Sequence, residues 1–380
     1  MYKRSQIFEK SGKESFFLWG ARQTGKSTLL KTVYPESLWF DLLQTDVFER
    51  LHREPSQLRE IVMASDLRKP VVIDEIQKIP ALLDEIHWLI ENSAAQFILS
   101  GSSPRKILFS KANLLGGRAL RYELYPLVSC EIPDFDLIRA LNNGLLPRHY
   151  LSDEPERLIS AYIGSYLQDE IMAEARIRKV STFSRFLETA AFSNGEMVNY
   201  SRIASECGVS APTIKEYFQI LVDTLTGSFL PSFQKRPKRR VIHAPKFYYF
   251  DVGIVNYLLK RGEIKPRSEM FGNAFEHFIY QEIRAHRHYS GIEYPIYYWR
   301  TASQIEIDFV LGDHEIAIEV KSTDNAGKRH IKGLQYFEEE YNVKHSILVS
   351  NDPFPRKIGS VSIMPWKIFL QKLWNGELIK

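Results

Sequence analysis

Two stretches near the start of the chain carry residue types spaced for phosphate chemistry. GARQTGKST, Gly20 to Thr28, fits G-x-x-x-x-G-K-[ST], with Gly20, Gly25, Lys26 and Ser27 at the fixed positions. The spacing lets a loop turn its backbone N–H groups inward around phosphate oxygens, where side chains at the glycines would intrude. Gly20, Gly25, Lys26, Ser27 and Thr28 are therefore expected to hold ATP, Lys26 neutralising the β and γ phosphates and Ser27 coordinating Mg2+. Some 45 residues on, KPVVIDEIQKIP ends a short apolar strand in Asp74 and Glu75. Asp74 suits the Mg2+ shell, and Glu75 suits the polarising of an attacking water, which separates a hydrolase from a nucleotide binder. A third apolar strand, QFILSGSSPRKI, brings Ser100 and Ser102, either of which could bond the γ-phosphate or the water, or simply satisfy a turn. Arg118, in GGRALRYELYPL, could complete a neighbouring subunit's site or be an ordinary surface arginine.

The last third carries a second constellation. Side chains two apart on a strand share a face. In QIEIDFVL, Glu306 and Asp308 therefore lie together, opposite Ile305, Ile307 and Phe309, and in HEIAIEVKS, Glu319 and Lys321 share a face. Joined by the turn LGDHE, the two strands can pair so that Asp308 meets Glu319 and Lys321, and GNAFEHFIYQEI places Glu276 inside a preceding helix.

The elements that must position these residues follow from pattern. A chain of 380 residues suggests two or three domains, and 44% hydrophobic with 25% charged residues is ordinary for globular proteins. No apolar run approaches the roughly 20 residues needed to cross a bilayer, and MYKRSQIFEKSGKES lacks a signal-peptide core, so a cytoplasmic chain with no membrane partner is expected. Cys130 and Cys207 are far apart and read as plain thiols. ERLISAYIGSYLQDEIMAEARI and STFSRFLETAAF have helical spacing, compatible with a lid behind the nucleotide or with a spacer. YSRIASECGVSAPTIKEYFQILVDT reads as helix, turn at Gly208, and a second helix capped by Ser210 that turns Thr213, Lys215, Glu216 and Gln219 outward. GSFLPSFQKRPKRRVIHAPKFYYFD then reads as a two-stranded wing whose tip gathers Lys235, Arg236, Lys238, Arg239 and Arg240. From Lys235 to Arg287 there are 12 Lys or Arg against 5 Asp or Glu. Lys215 and the wing-tip cluster are the candidate contacts to DNA phosphates, although winged helices also bind proteins.

Taken in order, GARQTGKST, VVIDEIQKIP, FILSGSS and GGRALRYELYPL, and then NYSRIASECGVSAPTIKEYFQIL, PKFYYFDVGIVNYLL, GNAFEHFIYQEI and EIDFVLGDHEIAIEVKS, resemble the AAA+ ATPases of bacteria and archaea that carry a C-terminal domain of uncharacterised function. The resemblance implies an α/β P-loop core at 1–128, a helical lid at 129–193, a winged helix-turn-helix at 194–252, and a homo-oligomer, hexamer-like or related. The region 253–380 is similar to the PD-(D/E)XK, or restriction-endonuclease-like, superfamily. That likeness implies that Asp308 and Glu319 bind a divalent metal, Mg2+ or Mn2+, that Glu276 supports it, and that Lys321 orients water or the scissile phosphate. Gln335, on the later helix, would take an accessory part. Three functions fit: an ATP-driven protein that remodels or translocates on DNA, branched DNA included; an ATP-switched nuclease of defence or mobile elements; and a nucleotide-dependent protein-binding signalling switch.

Overall fold

The structure is a computed structural model that describes residues 2–8, 12–105, 107, 115–164, 166, 180–235 and 241–379. The first sheet holds β1 (Ser15–Trp19), β2 (Leu38–Asp41), β3 (Val71–Asp74), β4 (Phe97–Gly101) and β5 (Ala119–Glu123), all parallel, in the order β2-β3-β4-β1-β5. Such strands are apolar almost throughout because both faces are covered. Phe17, Trp19, Ile73 and Leu99 enter one core, and Phe16, Leu18, Val72 and Ile98 the other. The order has a chemical consequence. With β4 between β1 and β3, the loop after β1, Ser100 on β4 and Asp74 on β3 emerge side by side at the carboxyl ends, where α/β sheets hold ligands.

The helix-turn-helix is formed as its sequence dictates. Helix Tyr200–Cys207 starts on an Asn199 cap and ends at Gly208, which has φ 66°, and Ser210 accepts the Thr213 N–H at the start of helix Ala211–Asp223. β6 (Gly227–Leu230) and β7 (Lys246–Tyr249) follow as an antiparallel pair. β7 is a wall between two cores: Phe247 and Tyr249 pack with Phe186, Phe218 and Leu221 of the helical unit, whereas Tyr248 packs with Phe275 and Phe309 of the C-terminal unit.

The last sheet has β8 (Ile296–Arg300), β9 (Glu306–Leu311), β10 (Ile316–Val320), β11 (His345–Ser350), β12 (Arg356–Ile358) and β13 (Val361–Pro365), in the order β12-β13-β11-β10-β9-β8. β10, β11 and β13 run parallel, and the other pairings are antiparallel. The long helix Glu269–Tyr289 and helix Trp366–Trp374 cover one face, and helix Lys332–Glu338 covers the other. Gln335 is exposed on that last helix.

The stretch 129–193, expected as one helical lid, divides. Helix Leu137–Asn143 buries Leu137, Ala140 and Leu141 with Phe271 and Phe275 of the long helix, because its apolar stripe is continued there. Helices Pro155–Tyr162 and Val180–Phe192 instead pack with the helix-turn-helix, and Ala21 of the phosphate loop joins that cluster. Among the described residues no helix is long and apolar enough to cross a membrane.

Glu282, fully buried on the long helix, accepts hydrogen bonds from Ser129 N at 2.7 Å, Ser129 Oγ at 3.0 Å and Trp374 Nε1 at 2.7 Å. Burial outweighs those donors and pushes its carboxyl up to about 7. A carboxyl held above its unfolded value keeps its proton in the fold, so its stabilisation is complete below the ordinary carboxylate range and is lost as pH rises through about 7. Glu282→Gln, a stand-in for the protonated form, should therefore gain on the wild type by about 3 kcal/mol between pH 4.5 and 7.5. Denaturant melts across that range measure it, and a pH-independent difference would refute the assignment.

Candidate functional site

The phosphate loop is shaped by its glycines. Gly25 sits at φ 94°, a left-handed conformation, and a Cβ on Gly20 would lie 2.4 Å from the Leu124 carbonyl oxygen. Lys26 opens helix α1 (Lys26–Val33), is 5% exposed, and donates from Nζ to the Gly20 carbonyl at 2.8 Å and to that of Ala21 at 3.1 Å. Burial lowers the pKa of its ammonium group, while Glu75 and Asp74 oppose that shift. Such a lysine has carbonyl partners it can exchange for phosphate oxygens.

Asp74 is the hub. Its Oδ2 accepts from Ser27 Oγ at 2.5 Å and its Oδ1 from Ser100 Oγ at 2.7 Å, so three elements fix one buried carboxylate. Glu75 follows at φ 61°, an uncommon conformation for a non-glycine residue, which turns its side chain away from the strand line. Its Oε2 accepts from Gln77 Nε2 and from Ser102 Oγ, the latter at 3.4 Å, and Gln77 also donates to Ser102 at 2.9 Å. Gln77, 3% exposed in the turn Ile76–Lys78, escapes a reading of the sequence, since nothing in IQK marks it as reaching back to Glu75. The cradle that a Cβ would fill, the serine and carboxylate pair and the movable lysine fit ATP with Mg2+. Gly20, Gly25, Lys26, Ser27 and Thr28 would hold the phosphates, Thr28 being exposed at the head of α1. The metal would supply positive charge to the phosphate oxygens beside Ser27 and Asp74.

Two arginines unremarked in the sequence tie this site to the rest of the chain. Arg4 donates to Thr24 O at 2.6 Å, to Tyr125 O at 2.6 Å and to Glu131 Oε2 at 2.9 Å, and also reaches the Tyr289 hydroxyl on the long helix. Arg105, at the exit of β4, pairs with Asp223 at the end of helix Ala211–Asp223. Arg118 is a surface residue paired with Glu91 of helix α4 (Leu82–Asn92), after α2 (Thr45–Arg53) and α3 (Ser56–Met63).

The C-terminal constellation assembles with one break in the expected alternation: the β8–β9 register shifts between Tyr297 and Trp299, and Ile307 enters the core beneath helix Lys332–Glu338 whereas Phe309 enters that of the long helix. β9 and β10 pair with Phe309 opposite Ile318, and Asp308 Oδ2 accepts the Val320 N–H at 2.7 Å. Lys321 Nζ lies 2.5 Å from Glu319 Oε1 and 3.9 Å from Asp308 Oδ2. Burial raises the Glu319 carboxyl to about 8, with Asp308 beside it adding to the shift, and raises Glu276 to about 7. One expectation changes. Among the described residues no three His, Cys, Asp or Glu side chains are gathered as metal ligands, so Glu276, Asp308 and Glu319 do not form a ready trio. The reason is a second lysine: Lys246 of β7 pairs with Glu306 at 2.5 Å and Glu276 at 3.5 Å, and the Tyr248 hydroxyl donates to Glu276 at 2.6 Å.

Of the residues expected to face DNA, Lys215 is exposed with Nζ 5.4 Å from the centre of the Tyr200 ring, and Lys235 is paired with Asp313. Arg236, Lys238, Arg239 and Arg240 lie outside the described residues. The chain on either side of them is stitched to β8, Phe233 N donating to Tyr298 O at 2.7 Å and Ile242 N to Arg300 O at 2.9 Å. A cavity of about 880 Å3, lined by Arg139, Asn142, Glu188, Asn256 and Arg261 among others, shares no residue with the phosphate loop or the acid cluster.

Comparison with known families and structures divides the chain in three. Residues 12–132 match the family described as an AAA domain, residues 134–265 a domain of unknown function (DUF8612), and residues 271–369 a domain of unknown function (DUF4143). No curated protein matches. Among solved structures, the chain is similar to the Orc1 protein of Aeropyrum pernix in complex with DNA, at 13% identity and TM-score 0.24, over 65% of this chain and 86% of that one. It is also similar to a signal transduction ATPase with numerous domains and a tetratricopeptide repeat sensor from Pyrococcus horikoshii, at 12% identity and TM-score 0.22, over 74% of this chain and 46% of that one. Both likenesses are too distant to carry an argument about activity. The AAA match over residues 12–132, which span the phosphate loop, Asp74, Glu75 and Ser100, supports an AAA-type P-loop ATPase core.

Proposed function

We propose that this protein hydrolyses ATP and uses the nucleotide cycle to act on DNA, gripping it through the winged helix and holding or cutting it at the C-terminal acid cluster. The observation that carries the ATPase reading is the Asp74 carboxylate, bonded on both oxygens by Ser27 and Ser100, with Glu75 next to it in a strained backbone. Glu75 is the general base in this reading, accepting the proton of the attacking water, and Lys26 and Ser27 position the phosphates. In this reading Arg118, exposed and paired with Glu91, exchanges that partner for the phosphates bound by a neighbouring subunit of a homo-oligomer. The Arg105–Asp223 pair supplies a route from the exit of β4 to the helix-turn-helix. That same contact favours a second reading, a nucleotide-dependent switch whose wing meets protein.

ATP turnover measured with and without linear, single-stranded and four-way-junction DNA separates these readings. In the same reactions, cleavage of labelled DNA with Mg2+ or Mn2+ is compared between wild type and Asp308→Ala. DNA-stimulated turnover is the expected result, and metal-dependent products that vanish in Asp308→Ala would make the C-terminal unit a nuclease. Intact DNA in both proteins would leave it a clamp, and turnover indifferent to every DNA would favour the switch.

A further inference from the structure

The acid cluster contains a cation from another domain. Alternation along β7 sends Phe247 and Tyr249 into the helical core and Lys246 and Tyr248 toward the C-terminal sheet. Lys246 is 2% exposed, and Glu276, Glu306 and Asp308 all strengthen its charge against the cost of burial. Across Asp308, Lys321 holds Glu319 through Oε1 alone. Glu319 is 8% exposed, and its Oε2 has no hydrogen-bond partner among the described residues. A buried carboxyl oxygen left without a partner is costly, and a hard cation, taking the place of a proton there, would relieve it. Four carboxylates, Glu276, Glu306, Asp308 and Glu319, thus meet three cationic side chains, Lys246, Lys321 and Arg300, whose Nη1 lies 2.8 Å from Glu306 Oε2.

We propose that Lys246 is the internal cation of this cluster and competes with a divalent metal ion for its carboxylates, so that metal occupancy and the seating of the wing strand oppose each other. The proposal rests on reading Asp308 and Glu319 as metal ligands. A buried ammonium group and a divalent cation sharing the same carboxylates repel at these distances, where little water screens them. Freeing Glu276 for a metal requires Lys246 to move. Because the other face of β7 lies in the helix-turn-helix core, that movement reaches the helices expected to meet DNA.

The test is Mn2+ binding to the whole 380-residue chain without nucleotide, followed by calorimetry and by the electron paramagnetic signal of free Mn2+. Lys246→Met keeps the apolar stem without the charge. Lys246→Gln, which removes the charge but keeps a donor, takes its place if the Met variant fails to fold. Either variant should bind one Mn2+ at least tenfold more tightly than wild type, and adding Asp308→Asn should abolish that binding. In wild type, saturating Mn2+ should speed amide hydrogen exchange across Lys246–Tyr249. Equal affinity in wild type and the Lys246 variants, with Asp308→Asn still deleting the site, overturns the competition and leaves the metal reading intact. Absence of any Asp308-dependent Mn2+ site in all the proteins overturns both.

Discussion

Glu75→Gln should leave ATP bound and stop its hydrolysis. The substitution removes the only feature of Glu75 that can take a proton, yet it preserves size and the ability to meet Ser102. The carboxylate hub at Asp74, with its Ser27 and Ser100 donors, is untouched, so the elements expected to hold phosphate and Mg2+ remain. General-base catalysis contributes about 10² to 10⁴ in rate, and a fall of that size in kcat is the expected result. Affinity for a fluorescent ATP analogue should change by less than about threefold, because phosphate affinity resides in backbone N–H groups and Lys26. Single-turnover phosphate release together with equilibrium nucleotide binding reads both quantities. Normal turnover would remove Glu75 from the base's role. Weak binding with slow turnover would instead make it a structural partner of Gln77, the residue whose amide holds it in place.

The second large effect concerns the basic segment 235–240, which the sequence suggests as a wing tip. Replacing Lys235, Arg236, Lys238, Arg239 and Arg240 together with Gln should weaken duplex binding by on the order of 10² to 10³ at moderate salt. The diagnostic is the slope of log affinity against log salt, which falls by about 0.9 for every phosphate that the protein ceases to neutralise. Since Lys235 already has Asp313 as a partner, the slope should become shallower by about 3.6, the value for four phosphates, rather than by about 4.5. Fluorescence anisotropy across a potassium chloride series measures it. An unchanged slope would remove this segment from DNA binding and favour a protein partner.

Much of this was legible in the residues. GARQTGKST and VVIDE announce their chemistry because a phosphate loop and a strand-end carboxylate pair depend on local backbone and fixed spacing. The same holds for the Ser210 cap, for Gly208, and for the nearness of Asp308 to Glu319 and Lys321 on two strands joined by a short turn, but not for the break in alternation between Ile307 and Phe309. The lid was not legible, since helical periodicity tells which face is apolar and not which neighbour covers it. Helix Leu137–Asn143 found its cover on the long helix, more than a hundred residues away.

Residue type and spacing alone therefore determined the phosphate-binding loop, the Asp74 and Glu75 pair and the helix-turn-helix, all built from neighbours in the chain. Tertiary structure alone decided that Gln77 reaches Ser102 after β4, that Arg4 joins the phosphate loop to the long helix, and that Lys246 of β7 pairs with Glu276 of the long helix and Glu306 of β9. The physical reason is the same in each case: a buried charge or amide must find a partner, and which partner is within reach depends on how distant elements pack.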